Sequence, residues 1–573
     1  MLEPTGRPVD LGGARGRIFK FAAALIAWLL HLGLLLAISI VQLYRTRLYP
    51  LRAVVGLLAP NRGQPEFHPL DKDRWTNAVA NQFTKPAFVR RVHNLNELLA
   101  VVREVGSRRG GRVRAIGSGH SFSDVAIADD VLVDVSALNA VLDLSEIALR
   151  AAANAHLARV ESGTTIRKLN RELASRNLSL KNMGGYDGQT IAGAISTGTH
   201  GSGIELGALC DEVRSVDVIM ESGELLRVEP VGGISDPVLH AQRFPDGPRL
   251  VRNNDLFHSV VVAMGCLGIV YAYVIEVEPF YFLAERRELF DWAVLRERLL
   301  KEEFPPSLPD GTKPRHFEFL VNPYQTGWRK KRRNCLVTYR WKVDGPPRAE
   351  SGRVRNLLAT VITSIREFDE ILALSLNEFP RIAPRVVDTA LKGLVDELYV
   401  AESFTVLNLG DANYTPAYAS ELAFGAEGAE PEYIAALERL FELAEGQRAE
   451  GRHHNIPISV RYVAASPHYL AMSHGRKTAF FELPTLARVP GGWDLLRYYE
   501  RRLLEEFPRG RAHWGQANFI LGPDRIGRAY PEFGTWLASY MQYSPRGTFD
   551  NSFSERLGLR TLCKLIGAVN ART

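Results

Sequence analysis

Seven glycines within 22 residues constrain this chain more than any other feature of its sequence. The segment NMGGYDGQTIAGAISTGTHGSG runs from Asn182 to Gly203, and a regular helix or strand does not tolerate that density of glycine. A flexible surface loop is typically richer in serine, proline and lysine, whereas here small apolar residues such as Ile191, Ala194 and Ile195 separate the glycines. Because glycine lets a backbone approach a ligand closely, the segment predicts a backbone wrapped around a large, flat, phosphorylated ligand.

A second glycine turn lies earlier in the chain, in IGSGHSF at residues 116–122. Its glycines, Gly117 and Gly119, come directly before His120. Successive backbone N–H groups in such a turn form a concave anion site, so the turn predicts a pyrophosphate cradle. It lacks both the Rossmann spacing GxGxxG and the Walker pattern GxxxxGK[ST]. A third glycine pair, in GCLGIV at residues 265–270, favours a cofactor site over three plain turns.

Charge and cysteine content argue against a nucleic-acid binder, a disulfide-stabilised protein and a zinc protein. The 573 residues suggest two to four compact units, and the net charge of +6 is spread along the chain rather than gathered on one element, which argues against a nucleic-acid binder. The four cysteines fit neither a zinc site nor a disulfide framework and predict reduced, buried thiols. These are Cys210, Cys266, Cys335 and Cys563. The adjacent histidines of HHN at residues 453–455 lack a third ligand, so no metal site is predicted.

Residues 21–43 form an apolar run, FAAALIAWLLHLGLLLAISIVQL, without Asp, Glu, Lys or Arg. A helix of this length crosses the hydrocarbon core of a bilayer, about 30 Å thick. A cleaved signal peptide, which has a shorter apolar core, is the alternative. Basic residues flank the run evenly, so the positive-inside rule does not decide its orientation, and a twin-arginine export signal is absent. The run predicts a single membrane anchor.

The body of the chain predicts two mixed regions. Strands and helices alternate from about Thr84 to Pro279, with a hairpin around Ser222 and Gly223. Residues 280–508 have a different pattern of predicted elements. Long helices such as EPEYIAALERLFELAEGQRAEG alternate there with strands such as HFEFLVN, PISVRYVAAS and TAFFELP. This second region predicts a separate α+β domain.

The order of the motifs resembles a known family. GSGHSFSD, VESGTTIRKLN, GGYDGQTIAGAISTGTHGSG and DLFHSVVVAMGCLGIVYAYVIEVEP together are similar to the FAD-binding domain of the vanillyl-alcohol oxidase, or PCMH-type, superfamily. RAHWGQANF and SPRGTFDNSF extend the likeness, which is nearest to the aldonolactone and alditol oxidase group that includes gulonolactone and D-arabinono-1,4-lactone oxidases.

The resemblance implies an α+β fold with a defined domain order. A two-subdomain, PCMH-type FAD-binding domain covers residues 80–282. A mixed α+β substrate, or cap, domain covers 283–573, and its C-terminal segment returns to the flavin. The N-terminal tail at 1–20, the transmembrane helix at 21–43 and a linker at 44–79 precede them.

The same resemblance implies FAD as the cofactor and a set of residues that hold it. His120 matches the histidine bonded covalently to the flavin 8α-methyl carbon, although relatives that lack this histidine hold FAD without the bond. On the first turn, the implied contacts to pyrophosphate and isoalloxazine are Gly117, Ser118, Gly119, Ser121 and Phe122. On the opposite side of the cofactor they are Thr197, Gly198, His200, Gly201 and Gly203, with Ile269 near the adenine.

The implied catalytic residues depart from the family pattern. In the group, a Glu-x-Arg pair on a strand and the lysine of HWGK approach the substrate face of the flavin. Here Arg461 is present, but Ser459 stands in the glutamate position; His513 matches, but Gln516 replaces the lysine. Gln516 can donate a hydrogen bond but carries no charge. Both replacements remove charge, which argues against an ordinary sugar-lactone substrate.

These features predict a membrane-anchored, FAD-dependent oxidoreductase with a cytoplasmic flavin domain. It oxidises a CH–OH group of a sugar lactone, polyol or other small-molecule alcohol by hydride transfer to flavin N5, and passes electrons to oxygen or a quinone-like acceptor. Two alternatives stay open. The substrate is a lipid-linked sugar or other bulky alcohol, or the protein is a flavin electron carrier without its own alcohol substrate.

Overall fold

The computed structural model describes most of the chain after residue 69. The described ranges are 70–71, 74–151, 156–301, 304–308, 310–327, 331–345, 373, 375–409 and 417–570. The predicted tail, transmembrane helix and most of the linker lie outside them. Within these ranges, no helix has the length and apolarity needed to cross a membrane. The predicted domain boundaries therefore stay a prediction.

The first part of the described chain contains two small sheets. An antiparallel one is built from β1 (Leu70–Asp71), β2 (Arg74–Thr76) and β3 (Phe83–Thr84); a parallel one follows, with β4 (Phe88–Arg91), β5 (Val113–Ile116) and β6 (Val131–Asp134) in the order β4-β6-β5. Helix α1 (Leu95–Ser107) connects β4 to β5, and the side chain of Asn94 caps its N-terminus. Helix α1 buries Leu98, Val102 and Val105.

A six-stranded sheet forms the centre of the first half. Its strands are β7 (Val141–Leu142), β8 (Leu157–Glu161), β10 (Val213–Ile219), β11 (Leu225–Glu229), β12 (Arg249–Arg252) and β13 (Ile269–Glu276), and a short β9 (Leu178–Ser179) lies apart from it. The associated helices are α2 (Ile166–Ser175), α3 (Ile191–Ser196), α4 (Pro237–Arg243) and α5 (Asn254–Val260). Strands β10 and β11 pair antiparallel around Gly223, whose φ is +77°, which confirms the predicted hairpin.

An eight-stranded sheet dominates the second half. After β14 (Glu278–Pro279), which pairs with β9, its strands are β15 (Phe282–Asp291), β16 (His316–Val321), β17 (Asn334–Val343), β18 (Asp396–Glu402), β19 (Ala417–Gly425), β20 (Ile458–Val463), β21 (Thr478–Leu486) and β22 (Arg511–Ala512). Their order is β18-β15-β17-β16-β20-β21-β19-β22. Mixed strands and helices on this scale agree with the predicted α+β fold class.

Helices cover and follow this sheet. They are α6 (Trp292–Lys301), α7 (Ala383–Gly393), α8 (Ser403–Leu407), α9 (Glu432–Ala449), α10 (Gly492–Glu506), α11 (Pro523–Ala529), α12 (Phe533–Tyr543), α13 (Ser552–Arg556) and α14 (Leu559–Asn570). Helix α9 confirms the long helix predicted from its sequence. The four cysteines are buried and free, as their spacing predicts.

Candidate active site

A cavity lies between the first glycine turn, helix α3 and the loop before β13. It holds about 1090 Å³ of space not occupied by protein atoms, counting the part open to solvent. None of its described lining residues is an aspartate or a glutamate. The predicted cofactor residues that line it are Gly117, Ser118, Gly119, His120, Ser121, Thr197 and Ile269. An acid-free, glycine-lined cavity suits a large ligand that carries anionic groups.

The backbone segments around this cavity approach too closely for side chains. A Cβ added at Gly117 falls 2.0 Å from Thr190 Oγ1, well inside contact distance. Gly119 has a φ of +67°. Gly268 has a φ of +152°, and a Cβ there falls 2.7 Å from the carbonyl oxygen of Ile219. Glycine adopts these conformations without strain, so the glycines shape the cavity.

His120 sits on the wall of the cavity and is half-buried. Its ring centroid lies 4.4 Å from that of Tyr186, with the planes tilted by 43°. Burial lowers the pKa of His120 to about 4, and the nearby positive charge of Arg167 adds to the effect. The imidazole is therefore neutral at pH 7 and keeps a nitrogen lone pair, which a nucleophile or hydrogen-bond acceptor requires.

The C-terminal part of the chain closes over the first glycine turn. The Phe122 amide donates to the Gly515 carbonyl at 2.7 Å, and Ser123 Oγ donates to the Trp514 carbonyl at 2.7 Å. A Cβ added at Gly515 falls 3.2 Å from Thr197 Oγ1. The HWGQ motif is therefore in contact with both glycine-rich segments.

Behind the cavity, the buried guanidinium of Arg114 joins three segments of the chain. It donates to the Val125 carbonyl at 2.6 Å and to the Phe549 carbonyl at 2.9 Å, and also to the Met264 carbonyl. Hydrogen bonds to a charged donor are stronger than neutral ones. The strand that leads into the first glycine turn is thus held by residues from the C-terminal region.

A row of polar side chains crosses the eight-stranded sheet on the face toward the segment of Asn182 to Gly203. Ser459 of β20 lies opposite Glu482 of β21, which lies opposite Glu421 of β19. Two residues further along β20, Arg461 lies opposite Glu318 of β16. Residues directly opposite each other in a ladder share a face of the sheet. We call these five residues the polar strip.

Arg461 lies between two carboxylates of the polar strip. Its Nε is 3.4 Å from Glu318 Oε2, and its Nη2 is 3.3 Å from Glu482 Oε2. Glu318 is also bonded by Arg340 Nη2 at 2.7 Å. Burial opposes the charged form of Arg461, but the Glu482 and Glu318 carboxylates outweigh it and raise the pKa of Arg461. The strip therefore contains a permanent cation.

Glu421 is held by two histidines. His200 Nε2 lies 3.2 Å from Glu421 Oε1, and His513 Nε2 lies 3.8 Å from Oε2. His200 Nδ1 faces the Gly201 carbonyl at 2.8 Å, so both its nitrogens face acceptors. Burial favours the neutral form of Glu421, but the interactions with His200, His513 and Arg461 outweigh burial and lower the pKa of Glu421 to about 2. Burial lowers the pKa of His513 to about 4, so that ring is neutral at pH 7.

The two positions that depart from the family pattern carry unused polar atoms. Ser459 Oγ and Gln516 Oε1 are buried and have no hydrogen-bond partner among the described residues. The Gln516 backbone is fixed, because its amide lies 3.3 Å from His513 Nδ1 and its carbonyl accepts from Asn518 Nδ2 at 3.0 Å. Both side chains are therefore available to a ligand.

The predicted cofactor residues fall into two groups. Beyond those in the cavity wall, five are not among its lining residues: Phe122, Gly198, His200, Gly201 and Gly203. Several of these join the second glycine-rich segment to the eight-stranded sheet. The Gly203 amide donates to the Tyr462 carbonyl at 2.6 Å, and His200 faces Glu421. This segment therefore bridges the cavity and the polar strip.

The four predicted catalytic residues lie around the polar strip. Arg461 and Ser459 belong to it, His513 reaches it through Glu421, and Gln516 follows in the same turn as His513. The carboxylates of the strip are not among the residues predicted from the sequence. The available signal was a single glutamate inside an apolar strand, in AYASELAFG and TAFFELP, because an unpaired charge is rarely buried in a sheet.

Two family models match the chain. The model described as "FAD binding domain" matches residues 86–229, and the model described as "D-arabinono-1,4-lactone oxidase" matches residues 309–557. The first range includes both glycine-rich segments, and the second includes all five residues of the polar strip.

Full-length relatives and solved structures also match. The chain is 26% identical to an L-gulono-1,4-lactone dehydrogenase of Mycobacterium tuberculosis over 492 residues, which covers 84% of this chain and 98% of the relative. It is 25% identical over 525 residues to a long-chain alcohol oxidase of an uncultured marine euryarchaeote, covering 83% and 95%. The crystal structure of cholesterol oxidase from B. sterolicum superposes with a TM-score of 0.60 at 13% identity, covering 87% and 99%. This last likeness establishes the fold alone.

Proposed function

Because the chain belongs to the aldonolactone oxidase group of the PCMH-type FAD-binding oxidoreductases, we propose that it oxidises a CH–OH group of a sugar lactone, a polyol or another alcohol. FAD, when bound, accepts a hydride at N5 and passes electrons to oxygen or a quinone-like acceptor. The protein binds and orients the alcohol and provides a site for its proton. The observation that carries the proposal is the bridge formed by residues 182–203 between the cavity and the polar strip.

The residues of the cavity fit FAD. Gly117 and Gly119 present backbone rather than side chains at its wall, where a Cβ at Gly117 would meet Thr190 Oγ1 at 2.0 Å. The described lining contains no carboxylate to repel a pyrophosphate. Thr197 and Ile269 line the remaining sides. In this proposal, Gly117 to Ser121 hold the pyrophosphate and isoalloxazine, and Phe122, Gly198, Gly201 and Gly203 hold the turns in place.

We propose that His120 is bonded covalently to the flavin 8α-methyl carbon. Its location in the cavity wall supports this assignment. So does its neutral state, since a pKa of about 4 leaves a lone pair available to form the carbon–nitrogen bond at pH 7.

The polar strip and the HWGQ turn form the proposed alcohol site. Arg461 supplies a fixed cation, and Ser459 and Gln516 supply uncommitted hydrogen-bonding atoms. His513 is neutral and can exchange a hydrogen bond with a hydroxyl. Such a mixture recognises a substrate with more than one oxygen, which favours a lactone or polyol over a simple alcohol.

We further propose that residues 21–43 anchor the enzyme in a membrane and that the flavin domain faces the cytoplasm. The charge-free apolar run supports an anchor. An anchored enzyme would have direct access to a quinone-like acceptor in the bilayer. Expression of the full chain and of a variant without residues 1–43 tests this proposal, because only the full chain should sediment with membranes after a high-salt wash.

The function is tested by anaerobic reduction of the purified, detergent-solubilised full chain. L-gulono-1,4-lactone, D-arabinono-1,4-lactone, a linear polyol and a long-chain primary alcohol are added separately, and the visible flavin absorbance is followed. We expect a lactone or the polyol to bleach the flavin, and air or a quinone analogue to restore it. Bleaching by the long-chain alcohol alone would favour the bulky-alcohol alternative. A flavin that responds only to a reductase would favour an electron carrier.

A further inference from the structure

The polar strip contains one carboxylate that is placed to take part in the reaction itself. We propose that Glu482 is the proton acceptor for the substrate hydroxyl, an assignment that rests on the proposed oxidation of an alcohol. It joins Arg461 and the open hydroxyl of Ser459 in one substrate-binding group on β20 and β21.

Accessibility distinguishes Glu482 from its neighbours. The Glu482 side chain is 25% exposed, whereas that of Glu421 is 4% exposed and is engaged by two histidines. Glu318 is 14% exposed and is bonded to Arg340 as well as to Arg461. Of the three carboxylates in the strip, Glu482 is therefore the most exposed and has the fewest partners among the described residues.

Ser459 offers a ligand an unused hydroxyl. It lies directly opposite Glu482 in the β20–β21 ladder, and its buried Oγ has no partner among the described residues. Side chains opposite each other in a ladder have Cβ atoms about 5 Å apart. A substrate hydroxyl bound here can reach Ser459 Oγ and a Glu482 oxygen together, with Arg461 at 3.3 Å from that carboxylate.

The ionisable groups that face Glu482 favour its role as a proton acceptor. These groups are Arg461 on β20, Glu421 on β19, Glu318 on β16, which lies beyond β20, and His200 of the glycine-rich segment. Burial, helped by the negative charge of Glu421, raises the pKa of Glu482 despite the opposing charge of Arg461. A base with a raised pKa binds a proton more strongly, which brings it closer to the value that suits general-base catalysis near neutral pH.

The proposed step is balanced. The C–H bond of the substrate carbinol breaks and its electron pair leaves with the hydrogen as hydride to flavin N5. The O–H bond breaks, its electron pair forms the carbonyl π bond, and its proton goes to a Glu482 carboxylate oxygen. The substrate is oxidised by two electrons, the flavin is reduced by two, and the proton on Glu482 leaves to solvent.

The first test is the pH dependence of flavin reduction in Glu482→Gln. In the wild-type enzyme, the rate of anaerobic reduction by the best probe of the panel should fall on the acid side as Glu482 becomes protonated. We expect Glu482→Gln to be about 100-fold slower and to lose that acid limb. A variant that keeps the limb and the rate would overturn the assignment while leaving the proposed function intact.

A transposition of the two side chains gives a stricter test. The double variant Ser459→Glu/Glu482→Ser returns a carboxylate to the opposite side of the same ladder pair, within reach of Arg461. We expect it to recover an acid limb and a rate at least tenfold above that of Glu482→Ser alone. Equal rates in these two variants would show that the carboxylate acts structurally.

A third measurement does not depend on turnover. Infrared difference spectra of the full chain between acid and neutral pH should contain a carboxyl contribution from Glu482 that titrates above the ordinary glutamate range and is lost in Glu482→Gln, whereas the contribution of Glu500, whose pKa is also raised, remains. The Glu482 contribution should persist in Glu318→Gln. If no panel compound bleaches the flavin, the proposed function fails and the assignment of Glu482 fails with it, whereas bleaching without this contribution would overturn the assignment alone.

Discussion

Phe122 and Gly515 share a backbone hydrogen bond of 2.7 Å, although they lie in opposite halves of the sequence. This bond connects the turn that carries His120 directly to the HWGQ turn that carries Gln516. The cofactor cavity and the proposed alcohol site are therefore not independent modules. A substitution in either turn should therefore alter the position of the other turn.

Replacement of His120 by alanine should distinguish covalent attachment of the flavin from its non-covalent binding. We expect wild-type protein to keep its yellow colour and in-gel fluorescence after acid precipitation, since the proposed bond survives denaturation. His120→Ala should release all its flavin into the supernatant. His93→Ala, which alters an exposed histidine, is the matched control and should behave like wild type. Colourless precipitated wild-type protein would contradict the covalent assignment.

A methyl group at Gly117 should weaken flavin retention. Its Cβ would fall 2.0 Å from Thr190 Oγ1 and 2.9 Å from Cγ2, so the turn must move away from the residues that face it. We expect Gly117→Ala to copurify with at least severalfold less flavin, measured as flavin absorbance per protein. Thr190→Ala in the same chain removes the clashing atoms and should restore part of the loss. Gly232→Ala, where an added Cβ has nothing within 4 Å, should be neutral.

The pH dependence of stability should reveal the contribution of the Glu421–His200 pair to the folded state. The folded pKa of Glu421 is about 2, below the ordinary 4.5. A lowered folded pKa contributes stability above pH 4.5, and that contribution disappears as the pH falls through about 2. Glu421→Gln should therefore lower the melting temperature most at neutral pH, by an amount that corresponds to about 3 kcal/mol, and progressively less in acid.

Glu500 provides a control, because its pKa is shifted in the opposite direction to that of Glu421. It accepts the Phe519 and Ile520 amides, and burial raises its pKa to about 7. A raised folded pKa contributes stability at acid pH, and that contribution is lost as the pH rises toward 7. The melting-temperature penalty of Glu500→Gln should thus shrink as the pH rises. Parallel pH profiles for the two variants would contradict both assignments.

Removal of the Arg461 cation should destabilise the sheet. In Arg461→Met, Glu482 loses its charged partner, whereas Glu318 keeps Arg340. Breaking a buried ion pair from one side costs about 3–5 kcal/mol, and we expect a loss near the lower limit because Glu482 is 25% exposed. The double variant Arg461→Met/Glu482→Gln should recover most of the melting temperature but no activity. A single variant as stable as wild type would contradict the pairing.

Local geometry explains what could be predicted from the sequence. A turn that must hold φ near +67° or bring two backbones together leaves glycines in the sequence, as at Gly119 and Gly117. A helix that buries one face leaves a periodic pattern, as in α1. The hairpin around Gly223 and the helix at residues 432–449 could be predicted for the same reason.

The polar strip could not be predicted in this way, because its residues meet through strand order. β16, β20, β21 and β19 are neighbours in the sheet but not successive in the chain. The family pattern drew attention to Ser459, where a charge is missing. The ladder places Glu482 opposite it, and no rule based on spacing along the chain connects two residues in different strands. The buried charge of the site is redistributed across strands, not lost.

The contacts of Arg114 carry a consequence for biosynthesis. Its guanidinium requires carbonyls from Val125, Met264 and Phe549, and the last of these lies 435 residues after Arg114 in the chain. A nascent chain that ends before Phe549 has the glycine turns but lacks the hydrogen bond from Arg114 to the C-terminal region. Flavin loading should therefore follow the synthesis of Phe549, and translation products truncated before this residue should accumulate as colourless apoprotein.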